Sequence, residues 1–91
     1  MTRIRWTTDA INQLEGIVKQ IQQDSPEAAR KTAQAILDAI GNLKLFPNLG
    51  RPSDDVEGTR ELHTPPYVIV YRLRRDVAQI LYIWHGAQDW R

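Results

Sequence analysis

The sequence predicts an α+β domain in the order β-α-α-β-β-β. An antiparallel αα-hairpin packs on one face of a small, mainly antiparallel four-stranded sheet. Three observations carry this. Two amphipathic helical stretches occupy the first half and are separated only by Asp24-Ser25-Pro26-Glu27. Three β-type runs fill the second half, rich in Val, Ile, Tyr and Trp. Between the halves lies Phe46-Pro47-Asn48-Leu49-Gly50-Arg51-Pro52, whose Pro and Gly residues end a helix.

Each element has its own signal. Ile4 and Trp6 alternate with Arg3 and Arg5, the period of a short strand. Thr7 or Thr8 can cap the first helix, with Asp9 in its first turn opposing the dipole. Ile11, Leu14, Val18 and Ile21 form one face of it, widened by Ala10 and Ile17. Gly16 lies inside this helix and costs about 1 kcal/mol relative to Ala.

Ser25 and Pro26 suit the N-cap and first position of a second helix that runs to about Leu43 or Leu45. Its stripe is Ala29, Ala33, Ile36, Ile40 and Leu43, with Leu37 beside it. Thr59 to His63 reads as a strand, interrupted by Pro65-Pro66. Tyr67 to Arg74 and Val77 to His85 are apolar on both faces, which places them in the centre of the sheet. The outer strands are then Ile4–Trp6 and Thr59–His63. Alternation puts Ala78, Ile80, Tyr82 and Trp84 on one side of the last strand, with Tyr82 and Trp84 in the core.

At 91 residues the chain is one domain, residues 1–91, with a thin core: a chain this short buries only about 60–65% of its unfolded surface. It has no cysteine, so neither a disulfide nor a thiolate metal site is available. His63 and His85 lack zinc-ligand spacing, and no metal or other cofactor is expected. No run approaches the roughly 18 apolar residues of a membrane span, and no apolar signal core follows Met1, so the expected location is the cytoplasm. Net charge is +1, weak for a protein that lives on nucleic acid. All lysines (Lys19, Lys31, Lys44) lie in the first half, and the second half uses only arginine, whose planar fork suits carboxylate or phosphate.

The residues that can carry chemistry are few. Arg60 follows a glycine turn and can hold a phosphate or carboxylate, or pair with Glu57 or Glu61. Arg51 sits on a stiff Gly-Arg-Pro turn. His85 closes the last strand and is a possible general acid or base, with no second acid–base group placed beside it by sequence. Arg72, Arg74 and Arg75 read as a solvated strand end and turn. Trp90 either folds back onto the sheet or docks into a partner. The hairpin covers one sheet face, so the other is left as a partly apolar, concave docking surface. There is no Ser/His/Asp set, phosphate-cradling glycine motif or clearly placed carboxylate pair.

Leu49-Gly50-Arg51-Pro52, Gly58-Thr59-Arg60-Glu61-Leu62, Tyr67-Val68-Ile69-Val70-Tyr71-Arg72 and Ile80-Leu81-Tyr82-Ile83-Trp84-His85-Gly86, taken in order, resemble the RelE/ParE superfamily of bacterial toxins. The resemblance covers nearly the whole chain. It implies a toxin of a type II toxin–antitoxin module that causes growth arrest, stabilises plasmids, and is neutralised by a cognate antitoxin. The antitoxin's flexible C-terminal segment would lay an acidic amphipathic helix between hairpin and sheet.

The superfamily has two branches. RelE-like members cleave messenger RNA in the ribosome; ParE-like members poison DNA gyrase. The nuclease branch commonly has an arginine where this chain has Val68. The ParE-like branch is therefore favoured, with no catalytic residue. Arg51, Arg60, Arg72, His85 and Trp90 are the candidates for target or antitoxin binding. The alternatives are a ribosome-dependent endoribonuclease using Arg60 and His85, and a degenerate toxin that keeps only antitoxin binding.

Overall fold

The structure, a computed structural model, describes residues 1–54 and 56–86. Its elements are β1 (Arg3–Trp6), α1 (Thr8–Asp24), α2 (Pro26–Gly41), a 3-10 turn (Asn42–Lys44), β2 (Arg51–Pro52), β3 (Thr59–Thr64), β4 (Tyr67–Arg74) and β5 (Val77–His85). The strands form one sheet in the order β1-β5-β4-β3-β2. β1 runs parallel to β5, and the other neighbours are antiparallel. Both helices pack on one face of it.

Five strands stand where four were expected. The extra one is Arg51–Pro52, paired with Glu61 and Arg60. Two residues are too short to show alternation, and proline is tolerated only because β2 is an edge. β4 and β5 are inner strands, as their two-sided hydrophobicity requires. β1 is an edge, but β3 is not, because β2 covers it.

Local chemistry sets the helices. Thr7 caps α1 by accepting from the Ala10 N–H at 3.1 Å, and Ser25 caps α2 through Ala28 at 3.1 Å. Pro26 takes the first position of α2. The second helix stops at Gly41, earlier than expected, and tightens into the 3-10 turn that buries Leu43. The α1 line packed on the core is Ala10, Leu14 and Ile17, whereas Ile11 is exposed; the apolar stripe is rotated from the one expected. From α2, Ile36 and Ile40 complete the core with Leu62, Ile69, Tyr71, Ala78, Ile80 and Ile83.

The phase of β5 changes midway. Tyr71 pairs with Ile80 and Val70 with Tyr82, so Leu81 is an extra residue in a β-bulge. Before it, Ala78 and Ile80 face the helices; after it, Ile83 does. Tyr82 and Trp84 therefore point away from the helices, and their expected place in the core is corrected. The bulge is held from α1. The Thr7 hydroxyl lies 2.9 and 3.0 Å from the Ile80 and Leu81 carbonyls, and Gln13 Oε1 accepts the Ile83 N–H at 2.7 Å.

Candidate functional site

Pairing assigns every strand residue to a face, because partners across a ladder point the same way. On the face away from the helices the rows are Arg3–Val77–Arg74, then Arg5–Gln79–Arg72–Thr59, then Tyr82–Val70–Glu61–Arg51, then Trp84–Val68–His63. This face gathers Arg3, Arg5, Arg51, Arg72 and Arg74. Glu61 is the acid within its rows, and Asp76 at the β4–β5 turn lies 3.7 Å from Arg3. The net charge of +1 thus conceals a basic sheet face.

Two features lie among these arginines. Tyr82 and Trp84 stack with ring centroids 5.4 Å apart and planes 20° apart, and Tyr82 is 37% exposed. At the β2–β3 edge, Glu61 accepts from the Ser53 hydroxyl at 3.1 Å and lies 3.3 Å from His63 Nε2. Arg51 Nη2 stands 3.5 Å from the same nitrogen. His63 therefore sits between a carboxylate and a guanidinium, beside Val68. Neither Glu61 nor His63 is among the site residues expected from the sequence. Their spacing of two on one strand was the available signal.

Arg60 and His85 lie on the opposite face. Arg60 pairs with Tyr71, and its guanidinium donates to the carbonyls of Gly50 at 2.6 Å and Asn48 at 3.4 Å. It fastens the loop before β2. The Tyr71 hydroxyl fastens the same loop, donating to Pro47 O at 2.7 Å and accepting from Gly50 N at 2.9 Å. Burial raises the Tyr71 pKa above the ordinary phenol value, partly offset by the Gly50 N–H and the Arg60 charge.

His85 packs edge-on against Tyr67, with centroids 5.5 Å apart. Arg60 pairs with Tyr71, and His85 with Tyr67 on the far side of β4. The two are separated by four residues along the strand, roughly 13 Å, and stand on opposite sides of β4. They are not brought together. Arg51 and Arg72 share the helix-free face. Trp90 lies outside the described residues.

A groove of about 800 Å³ opens between α1 and the end of β5, with Gly16, Ile17 and Gln20 on one wall and Tyr67, Ile83 and His85 on the other. No atom lies within 4 Å of where a Gly16 Cβ would stand, so packing inside the chain does not require this glycine. Among the described residues, no His, Asp and Glu side chains converge as a metal site, and no helix is long and apolar enough to cross a membrane.

Residues 4–90 match the family described as ParE toxin of type II toxin-antitoxin system, parDE. The candidate toxin Y4kP of Sinorhizobium fredii is 41% identical over 90 residues, 97% of this chain and 92% of that one. Toxin RelE2 of Caulobacter vibrioides is 35% identical, covering 97% and 99%. Among solved structures, the chromosomal ParDE system of P. aeruginosa superposes with a TM-score of 0.81 at 30% identity, covering 93% of this chain and 96% of that one. The RelBE2 toxin–antitoxin complex of Mycobacterium tuberculosis shares the fold, with a TM-score of 0.70 at 22% identity over 92% and 96%.

Proposed function

The chain belongs to the ParE toxin family of type II toxin–antitoxin systems, and we propose that it poisons DNA gyrase by binding, without itself breaking a phosphodiester bond. One observation carries this reading. Arg60 and His85, the pair expected from sequence to serve a nuclease, stand apart at opposite ends of the helix-side face. The Arg60 guanidinium is moreover engaged by the carbonyls of Gly50 and Asn48. At the centre of the other face, Val68 stands between His63 and Trp84, with no arginine in that row. Stabilising charge as phosphate is attacked needs a donor aimed at it, which Val68 is not.

A second reading, a ribosome-dependent endoribonuclease, is favoured by the Glu61–His63–Arg51 cluster. An imidazole beside a carboxylate can move a proton, and the guanidinium can hold a phosphate. The two readings separate cleanly. Purified chain incubated with gyrase and supercoiled DNA accumulates gyrase-linked breaks under the first. Codon-phased message cuts that vanish in His63→Ala mark the second. Normal growth on induction without antitoxin would indicate a chain that only binds antitoxin.

The structure of P. aeruginosa is that of a ParDE toxin–antitoxin system, and we extend an antitoxin partner to this chain. The groove along Gly16 is where we place an antitoxin helix. An exposed glycine costs α1 about 1 kcal/mol with no internal return. It admits a partner to close approach against the helix backbone.

A further inference from the structure

We propose that the loop between α2 and β2 is where this chain docks on gyrase, with Leu45, Phe46 and Leu49 entering an apolar pocket that has an acidic rim. The partner's identity rests on the gyrase reading; the surface and its chemistry are argued from this chain's residues.

The first argument is exposure on a fixed frame. Leu45, Phe46 and Leu49 are 68%, 62% and 51% exposed; among the described residues only Met1 is a more open large apolar side chain. The Leu49 N–H donates to Phe46 O at 3.1 Å, closing a turn that keeps these two residues within about 7 Å of each other. The Phe46 N–H donates to Asn42 O at 2.9 Å, and the Tyr71 hydroxyl engages Pro47 O and Gly50 N from beneath. None of these bonds involves Arg60, so the turn keeps its shape without it. A loop already ordered loses little entropy on docking. Three large side chains on such a turn suit the few anchors that dominate an interface.

The second argument is charge. Residues 39–53 contain Lys44 and Arg51 and no acid, and Lys44 is exposed beside Leu45. A two-fold contact between copies would set this segment against itself, with no carboxylate in it to meet Lys44. An acidic rim on a different protein is the complement. One lysine and one arginine are also far from the polybasic cluster that an anionic lipid surface attracts.

The third argument is place. The groove given to the antitoxin helix is lined by the end of α1 and the start of α2. This loop follows the other end of α2, a helix of 16 residues and so roughly 24 Å long. A helix seated in the groove leaves the loop open, and the two surfaces can serve different partners.

Surface plasmon resonance on immobilised gyrase holoenzyme tests this with the purified full chain, each variant first shown to be folded by circular dichroism. The wild type binds. Phe46→Ser weakens binding about tenfold or more, Lys44→Glu weakens it severalfold, and Arg30→Glu on the exposed side of α2 leaves it unchanged. Gyrase-linked breaks in supercoiled plasmid follow the same order. Should Phe46→Ser fail to fold, Leu45→Ser at the more exposed position carries the test. Equal binding by the wild type and these loop variants overturns the proposal and leaves the gyrase reading standing. No binding and no breaks with the wild type overturn both. Binding that depends on Phe46 without any breaks supports the docking surface and overturns the poisoning reading alone. Three results assign the loop to another occupant and overturn the proposal: dimerisation in analytical ultracentrifugation that Phe46→Ser abolishes, binding to phosphatidylglycerol vesicles that it abolishes, or a Phe46→Ser chain that still produces breaks but escapes its antitoxin.

Discussion

The buried hydroxyl of Tyr71 accepts the Gly50 N–H at 2.9 Å, joining the centre of β4 to the loop that leads into β2. The same hydroxyl donates to Pro47 O, so this one oxygen settles two backbone groups of an irregular loop. Tyr71→Phe leaves both without their partner and is expected to cost about 1–3 kcal/mol. Chemical denaturation of the two proteins measures it directly.

Gly50 is fixed by the same ring. A Cβ there would stand 2.7 Å from Tyr71 Cε1 and 3.0 Å from the Glu61 carbonyl. Neither a buried ring nor strand backbone gives way easily. Gly50→Ala is expected to destabilise by about 1–3 kcal/mol, whereas Gly16→Ala, in open space, stabilises by about 1 kcal/mol. Thermal melts of the pair show the opposite signs.

Tyr71 also gives the fold an alkaline limit. Its folded pKa is raised, because burial disfavours the phenolate. The native state therefore keeps its proton at pH values where the unfolded chain loses it. The stability so gained is complete below the unfolded pKa and is lost as pH rises through the folded value. Unfolding free energy should fall above about pH 10, and Tyr71→Phe should flatten that part of the curve relative to wild type. An unchanged slope would refute the assignment.

Arg60 acts on the fold. Removing its bonds to Gly50 O and Asn48 O is expected to cost about 1.5–3 kcal/mol. Arg60→Ala should lower the melting temperature while leaving gyrase inhibition per folded molecule unchanged. Gyrase assays below the melting transition check it.

Gln13 anchors the β5 bulge through Ile83 N at 2.7 Å. Gln13→Ala leaves a buried N–H unmet and should cost about 1–3 kcal/mol. Loosening the bulge should also alter the near-ultraviolet circular dichroism of the Tyr82–Trp84 pair. A variant as stable as wild type would contradict the role given to the bulge.

Much of this was legible in the residues. Alternation in Tyr67–Leu73 and the two-sided hydrophobicity of β4 and β5 placed the sheet's centre. Pro26 and the Ser25 cap placed the hairpin turn. What escaped has physical causes. A strand of Arg51 and Pro52 has no period to detect. The Leu81 bulge inverts the phase of β5, so alternation carried past it puts Tyr82 and Trp84 on the wrong face. Arg60 shares the parity of Leu62, which was enough to send it to the helix side, away from Glu61 and His63. Net charge is a sum over the whole molecule, and it hid the arginines that the sheet collects on one side.

The most direct test is supercoiled plasmid incubated with gyrase and the purified chain, then denatured and resolved for broken DNA. Protein-linked, gyrase-dependent breaks should accumulate, and they should persist in a His63→Ala variant. Intact supercoiling with no broken plasmid, alongside message cleavage that His63→Ala abolishes, would contradict a toxin that acts by binding alone.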